Sequence, residues 1–231
     1  GTPTIAPMAP TLAVDIDGTL TRPDWSIDPR IMDALGSWPA PVVIATGKAM
    51  PYPVALSQFV GLDTYVIAEN GGVAVSDGTL EIVGDRTAAD EVAAAYREAG
   101  HEVGFGEPDL ANRWRETEIV VDRSQPLEPL QAIAADHGLE VVDSEFAYHV
   151  KSPAVSKGKA FQRLADVHDL DPATTVAFGD SPNDVSLFEL VGRSFAMGNA
   201  TEEARAAADT VTSASYADGF LEALNAVMDE F

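Results

Sequence analysis

Short apolar runs alternate with amphipathic segments in the first third of this chain. The runs TLAVDID, PVVIATGK and TYVIAEN are rich in Val, Ile and Ala and predict buried strands, and the periodicity of residues 29–37 and 53–60 predicts helices between them. Strands that alternate with helices in this way are typical of a parallel sheet covered by helices on both faces. This part of the chain therefore predicts a doubly wound α/β fold.

The pattern changes in the middle third, which opens with a hairpin-like pair of strands around Asp77-Gly78. A helix over residues 87–99, a glycine-containing loop, a strand at TEIVVD, a helix over 126–137 and two further strands, LEVVDS and FAYHVKS, follow in that order. This order predicts a small α+β domain, residues 79–152, inserted into the doubly wound domain.

The alternation of strands and helices resumes after the insert. SKGKAFQRLADVH predicts a helix, TTVAFGD a buried strand, DVSLFELV a helix and RSFAMGN a short strand. Residues 201–208 and 216–229 predict two more helices, separated by a strand at DTVTS. We therefore expect a discontinuous core of residues 1–78 and 153–231, with a Rossmann-like sheet built from both parts.

Composition narrows the classes of protein to which the chain can belong. Of its 231 residues, 46% are hydrophobic, enough for a buried core, and no apolar run approaches the roughly 20 residues of a membrane span. The absence of cysteine excludes disulfides, thiolate catalysis and cysteine-based zinc sites. The first residues, GTPTIAPMAP, lack the charge and apolar stretch of a signal peptide, so we expect a loose Pro-rich tail and a cytoplasmic protein.

The net charge of −23 argues against partners that require Lys and Arg, namely nucleic acids and anionic membrane surfaces. The acidic residues are spread along the whole chain and do not form a tail. The chain combines dispersed acidic residues with abundant alanine and few lysines. This composition leads to the hypothesis that the protein works in a salt-rich cytoplasm, where ions screen the repulsion among its negative charges. The lysines are Lys48, Lys151, Lys157 and Lys159.

Several polar residues stand directly after predicted strands or at the start of a helix. The carboxyl ends of parallel strands meet at one edge of a sheet, where active sites of open α/β sheets lie. Carboxylates brought together there repel one another unless a cation lies between them, and carboxylate oxygens favour Mg²⁺. A cation, a lysine and a hydroxyl beside carboxylates form a site for phosphoryl transfer. These residues are Asp15, Asp17, Thr46, Gly47, Lys157, Asp180 and Asp184.

The motifs DIDGT, ATG, Lys157 followed by glycine, and GDSPND resemble, in the same order, the four signature motifs of the haloacid dehalogenase superfamily. An insert between the second and third motifs is similar to the type IIB cap of that superfamily. The short cap and the total length most resemble the archaeal phosphoglycolate phosphatases. The resemblance implies a Mg²⁺-dependent phosphatase that acts on a small phosphorylated metabolite, with 2-phosphoglycolate as the expected substrate.

The resemblance also implies roles for the residues of the first two motifs. Asp15 would be the nucleophile that forms an aspartyl-phosphate, and would also bind the metal. Asp17 would protonate the leaving alkoxide and then deprotonate the attacking water, while its backbone carbonyl binds the metal. Thr46, with Gly47 beside it, would hold the transferring phosphoryl group.

The third and fourth motifs would complete the site. Lys157 would balance the charge on the phosphoryl group and on Asp15. Asp180 and Asp184 would complete the metal shell, directly or through water, and Asn183 and Ser181 would orient these groups or the substrate. One departure is Lys48, which stands where members with this cap often have arginine, so bidentate contacts at this position are in doubt.

Other polar residues, in the insert and just before it, have ordinary structural interpretations. Asn70 is expected to be a turn residue, although the resemblance makes it a candidate contact of the site. His149 is expected to be packed or on the surface, with substrate contact as the alternative. Four cations can bind anions, but ion pairing on an acidic surface is the preferred interpretation: Arg113, Arg115, Arg123 and Lys151.

Three alternatives to phosphoglycolate hydrolysis stay open. A sugar-phosphate phosphatase and a phosphomutase of the same superfamily share every motif. A phospho-acceptor signalling module also places Asp, Thr and Lys around Mg²⁺, but such modules are about half this length and lack an acid/base residue at the position of Asp17. The sequence does not determine the oligomeric state, for which a homodimer is one option.

Overall fold

The computed structural model describes residues 8–231, so the expected Pro-rich tail over residues 1–7 lies outside the described residues. The described chain forms two sheets, one of eight strands and one of three. All the strands and helices expected from the sequence pattern are present, with differences at their ends. No helix in this part of the chain has the length and apolar character needed to cross a bilayer.

The large sheet has the strand order β11-β10-β9-β1-β2-β3-β4-β5. Its strands from β11 to β3 are parallel, and the hairpin of β4 and β5 adds two antiparallel strands at one edge. The doubly wound fold expected from the alternation is therefore confirmed. The strands are β1 (Leu12–Val14), β2 (Val42–Ala45), β3 (Tyr65–Ala68), β4 (Val73–Ser76), β5 (Thr79–Ile82), β9 (Val176–Gly179), β10 (Arg193–Ala196) and β11 (Thr210–Val211).

Helices cover both faces of this sheet because its strands carry apolar side chains on both sides. One face packs against α1 (Arg30–Gly36), α2 (Pro51–Val60) and α9 (Tyr216–Met228), and its core includes Phe178, whose ring lies 5.1 Å from that of Phe220. The other face packs against α6 (Lys157–His168), α7 (Val185–Phe188) and α8 (Glu202–Ala207). Burial on both faces explains why the parallel strands read as continuous apolar runs.

The small sheet lies in the insert and has the antiparallel order β6-β8-β7. Its strands are β6 (Ile119–Val121), β7 (Glu140–Asp143) and β8 (Tyr148–Lys151). One face is buried under α3 (Arg86–Glu98) and α5 (Leu127–Asp136), with a hydrophobic core of its own. The α+β character expected for the insert is present, and its own core is what an inserted domain requires.

Two details differ from the expectation for this region. A one-turn helix, α4 (Leu110–Arg113), follows the glycine-containing loop, where the sequence pattern indicates only a loop and a strand; the Asp109 carboxylate caps it by accepting a hydrogen bond from Asn112 N. The strand β5 lies in the range assigned to the insert but is hydrogen-bonded to β4 in the large sheet. Residues 79–82 are therefore part of the large sheet.

Candidate active site

Polar residues of the site follow three neighbouring strands in the middle of the large sheet. Asp15 follows β1, Thr46 follows β2 and Asp180 follows β9, and β1 pairs with both of the other strands. Lys157 is the first residue of α6, which Ser156 caps by accepting a hydrogen bond from Lys159 N. Parallel strand topology thus brings together groups that are far apart in the chain.

Three carboxylates form a buried cluster at this edge. Asp15, Asp180 and Asp184 are 4%, 4% and 0% exposed, and each offers an oxygen within 4.8 Å of the others. Burial raises the pKa of Asp15 to about 7, although Lys157 opposes this shift, and burial together with the charges of Asp15 and Asp184 raises the pKa of Asp180. The cluster is rich in negative charge and offers only oxygen ligands, so its residues fit a hard divalent cation.

Lys157 supplies the one ammonium group that contacts this cluster among the described residues. Its Nζ lies 2.8 Å from Asp15 Oδ1 and 2.7 Å from Asp184 Oδ1, and the residue is fully buried. Burial alone would lower the pKa of Lys157, but the two carboxylates outweigh burial and raise it. The lysine is therefore a permanent cation held against the side chain of Asp15.

Asp184 differs from the other two carboxylates because both of its oxygens are engaged. Oδ1 accepts the hydrogen bond from Lys157, and Oδ2 accepts from the backbone nitrogens of Asp180 at 2.9 Å and Ser181 at 3.1 Å. Within the part of the chain that the structure describes, Asp15 has only its Oδ1 bound, by Lys157. Asp184 thus orients the lysine and the loop after β9, and its expected place in a metal shell stays a prediction.

Gly18 is required for this arrangement. Its φ is +79°, and a Cβ at this position would lie 1.9 Å from Asp180 Oδ2. The backbone therefore turns in a conformation that favours glycine, directly beside the carboxylate. The Gly-Thr of the DIDGT motif is the sequence signal of this close approach.

Asp17 lies at the edge of the cluster and is paired with Lys48. The two side chains are 3.1 Å apart and partly buried, with exposures of 14% for Asp17 and 22% for Lys48. The Lys48 ammonium also lies 4.5 Å from the ring centre of Phe146, a residue of the insert. Lys48, at the position where the resemblance to proteins with this cap leads us to expect arginine, therefore still places a cation beside the candidate acid/base.

Thr46 and Gly47 occupy the loop after β2, as expected. Thr46 is fully buried and its hydroxyl oxygen accepts a hydrogen bond from Lys48 N at 3.0 Å, which leaves the hydroxyl proton to donate elsewhere. Gly47 packs against the insert, because a Cβ at this position would lie 3.0 Å from His149 Cε1. A larger residue at position 47 would push the insert away from the core.

Asn183 is joined to the core through Asn70. Its Nδ2 donates to Asn70 Oδ1 at 2.9 Å, and its buried Oδ1 has no hydrogen-bond partner among residues 8–231. Asn70 has a positive φ of 58°, as expected for a turn, and its own Nδ2 donates to Glu118 Oε2 at 3.0 Å. Asn70 therefore links a fourth-motif residue to the insert.

The insert closes over the site. A small cavity of about 20 Å³, room for about one water molecule, lies between the two parts of the chain. The core side of the cavity is lined by Asp15, Asp17, Gly47, Lys48, Ser181 and Asn183, and the insert side by Arg115, Ser144, Phe146 and His149. All the candidate residues therefore line this cavity or contact a residue that does, and Thr46 does so through Lys48.

A buried ionic network in the insert is the part of the site that the sequence pattern does not predict. Glu118 is fully buried, pairs with Arg115, and accepts a hydrogen bond from His149 Nδ1 at 2.9 Å. Burial alone would raise the pKa of Glu118, but His149 and Arg115 outweigh burial and lower it. The sequence predicts ion pairing on an acidic surface for Arg115, which instead pairs with Glu118 in a buried position at the cavity. His149, for which it predicts packing or exposure, is packed there.

Strand alternation is the sequence signal that separates the residues of this network from those in the core of the insert. Ile119 and Val121 of β6 and Val150 of β8 point into the core of the insert, so Glu118 and His149 lie on the opposite face, towards the cavity. Lys151 and Arg123 have the structural roles expected for them, since they pair with Glu140 and Asp143.

Comparisons with known proteins agree with this geometry. Residues 12–102 and 114–224 match the family of haloacid dehalogenase-like hydrolases. The chain is similar to proteins named phosphoglycolate phosphatase from two archaea. It is 56% identical to that of Halobacterium salinarum, over 94% of this chain and 97% of that protein, and 54% identical to that of Natronomonas pharaonis, over 96% and 99%.

Solved structures show the same fold. A crystal structure from Thermoplasma acidophilum superposes with a TM-score of 0.83 at 24% identity and covers 96% of this chain and 99% of that one. The family match spans most of the chain, including much of the insert. It includes all seven candidate residues that the sequence places after strands or at the start of α6. The chain is an enzyme that belongs to the haloacid dehalogenase-like hydrolases.

Proposed function

We propose that the protein is a Mg²⁺-dependent phosphomonoester hydrolase that converts 2-phosphoglycolate to glycolate and phosphate. The single observation that carries the chemistry is the contact of Lys157 with Asp15, 2.8 Å apart and buried beside two further carboxylates. The substrate is supported by the names of the relatives in halophilic archaea, to which the chain is more than half identical along nearly its whole length.

Asp15 is the proposed nucleophile. Its Oδ1 is held by Lys157, which leaves Oδ2 to attack phosphorus. The bond between phosphorus and the glycolate oxygen breaks as the bond to Asp15 forms, which gives an aspartyl-phosphate. Lys157 stays protonated throughout, because two carboxylates hold its proton, and it offsets negative charge on the transferred group.

Asp17 is the proposed acid and base. It gives a proton to the departing glycolate oxygen, and then takes a proton from the water that attacks the aspartyl-phosphate. The bond between phosphorus and Asp15 breaks in this second step, and phosphate leaves. Its place at the rim of the cavity, 14% exposed, permits contact with both the leaving group and water.

Asp15 and Asp180 are the proposed metal ligands, together with the backbone carbonyl of Asp17. When bound, Mg²⁺ neutralises the carboxylates and polarises the phosphoryl group. Asp184 retains its predicted link to the metal shell only through water, because its two oxygens already bind Lys157 and the loop after β9. Three buried carboxylates meet only one ammonium group within the described residues, that of Lys157, and this excess of negative charge supports a metal here.

The remaining residues would hold the phosphoryl group. The Thr46 hydroxyl has a proton to donate, and the loop at Gly47 passes close to the cavity. Asn183 lines the cavity and turns its amide towards Asn70 of the core. These groups would hold the phosphoryl group beside Asp15.

We also propose that the insert acts as a cap over a catalytic core. Because β5 pairs within the large sheet, we place the described part of the core at residues 8–82 and 153–231 and the cap at 83–152. A cavity of about 20 Å³ does not admit a phosphoester, so the cap opens to bind the substrate and closes to exclude water.

The test is phosphate release from 2-phosphoglycolate, hexose phosphates and nucleotides in molar KCl, with Mg²⁺ and after chelation. We expect preference for 2-phosphoglycolate, loss of activity on chelation and no turnover by the Asp15→Asn variant, which keeps its fold. Comparable rates on hexose phosphates would replace the substrate with a sugar phosphate. A phosphorylated protein that persists without turnover would favour the signalling module.

A further inference from the structure

The wall between the closed cavity and the outside carries two cations. Arg115 and Lys48 line the inner cavity, and both also line an outer pocket of about 190 Å³ that contains Tyr52 and Phe105. Phe146 lies in the same wall, 4.5 Å from the Lys48 ammonium. A substrate with its phosphoryl group at Asp15 directs its leaving group towards this wall, because Asp15 lines the same small cavity.

The two cations differ in how far their charge is engaged. Lys48 is paired with Asp17 at 3.1 Å. Arg115 uses Nε on Ala111 O and Nη1 on Gly47 O and Glu118. Its Nη2 makes no hydrogen bond with the described residues and keeps some accessible surface, and the Arg115 side chain lines both the inner cavity and the outer pocket. Arg115 is thus held in place at two nitrogens, Nε and Nη1, and the third, Nη2, is without a partner among the described residues.

The surroundings hold the guanidinium rigidly. Glu118, which pairs with Arg115, is itself fixed by His149 and by Asn70 Nδ2 at 3.0 Å. The bond from Arg115 Nη1 to Gly47 O, 2.8 Å, joins the cap to the core. A group bound to Nη2 therefore meets a preorganised donor only when the cap is closed.

We infer that Arg115 is the residue that selects the substrate, by donating from Nη2 to a carboxylate on the leaving group. This inference rests on the proposed function and extends it to a substrate class: short phosphoesters with a carboxylate next to the ester carbon. The planar guanidinium of Arg115 matches the geometry of a carboxylate. In the closed site, a substrate that lacks the carboxylate leaves Nη2 without a partner, so the enzyme discriminates against it.

The experiment compares 2-phosphoglycolate with 2-hydroxyethyl phosphate, which has the same length and no carboxylate. We expect Arg115→Lys and Arg115→Gln to lower kcat/KM for 2-phosphoglycolate by about 100-fold, mainly through KM, and that for 2-hydroxyethyl phosphate by no more than about threefold. The double variant Arg115→Gln with Glu118→Gln removes both charges, so that no buried carboxylate is left unpaired.

The control is Arg113→Gln, which removes an exposed arginine at the end of α4, 5.2 Å from the Trp114 ring centre and two residues before Arg115, and it should keep the wild-type preference. If wild type prefers 2-phosphoglycolate and the Arg115 variants keep that preference, or lose both substrates equally, the role of Arg115 is wrong while the proposed function stands. If wild type itself shows no preference for 2-phosphoglycolate, the proposed substrate fails and the role of Arg115 fails with it.

Discussion

Lys48 Nζ lies 3.1 Å from Asp17 Oδ2, and this pair joins the loop after β2 to the loop after β1. The contact positions the carboxyl group proposed to protonate the leaving oxygen. Both side chains are partly buried, so solvent screens their attraction less than that of a surface pair.

Lys48→Met is expected to lower kcat by about 10- to 100-fold, because Asp17 loses the cation that orients it. Lys48→Arg is expected to stay within about threefold of wild type, since arginine can pair with Asp17 and lie over Phe146. Steady-state kinetics on 2-phosphoglycolate measures both effects. Lys159→Met, at an exposed position of α6, is the control, and an unchanged kcat in Lys48→Met would contradict the role of the pair.

Asp180 and Asp184 are expected to respond differently to the same substitution. Asp184→Asn removes a partner of buried Lys157, so we expect the free energy of unfolding to fall by about 3–5 kcal/mol with or without Mg²⁺. Asp180→Asn relieves repulsion in the carboxylate cluster, so its melting temperature in EDTA should equal or exceed that of wild type, while the stabilisation by Mg²⁺ is lost.

Thermal melts of both variants in EDTA and in Mg²⁺ make this comparison. Loss of the Mg²⁺ response in Asp184→Asn without loss of stability would show that Asp184 is a direct metal ligand. Retention of the full Mg²⁺ response in Asp180→Asn would remove Asp180 from the proposed metal shell.

Asp28 is expected to make stability depend on pH in the acid range. Hydrogen bonds from the Arg30 side chain, one of them 2.7 Å long, hold the pKa of Asp28 well below its usual value of 3.8. A carboxyl group with a lowered folded-state pKa stabilises the protein above the unfolded-state value, and this stability is lost as the pH falls towards the folded-state value.

Asp28→Asn should therefore lower the free energy of unfolding at neutral pH by about 1–3 kcal/mol, and the difference from wild type should shrink below about pH 4. Denaturant unfolding at several pH values measures it. Asp33→Asn, at an exposed position of α1, is the matched control. A difference that stays constant down to strongly acidic pH would show that Asp28 acts by packing and not by charge.

Salt is expected to stabilise the protein because the chain carries a net charge of −23. Screening reduces repulsion among the dispersed carboxylates, and most of the gain should come before molar salt, where the Debye length is about 3 Å. Melting temperature and activity measured from low to molar KCl should both rise. Full folding and full activity at low ionic strength, with no gain from added KCl, would reject adaptation to high salt.

The local pattern of apolar and polar residues was sufficient to predict the fold and the position of the central residues of the site. Apolar runs that end at Asp15, Thr46 and Asp180 already place these groups at one sheet edge, because parallel strands share a direction and their ends converge. The match to the haloacid dehalogenase-like hydrolases and the observed sheet confirm the doubly wound fold. The one-turn helix α4 escaped prediction because a single cap at Asp109, and not a run of periodic residues, defines it.

Tertiary structure alone decided which polar residues of the cap reach the site. Arg115 contacts Gly47, 68 positions away in sequence, and His149 contacts Glu118, 31 positions away. No local pattern specifies such pairs, since each depends on how the small sheet is laid over the large one. The sequence by itself determined the strands, the turn at Gly18 and the order of the motifs. Docking of the cap determined the burial and charge pairing of its residues, because desolvation depends on what covers a group and not on its neighbours along the chain.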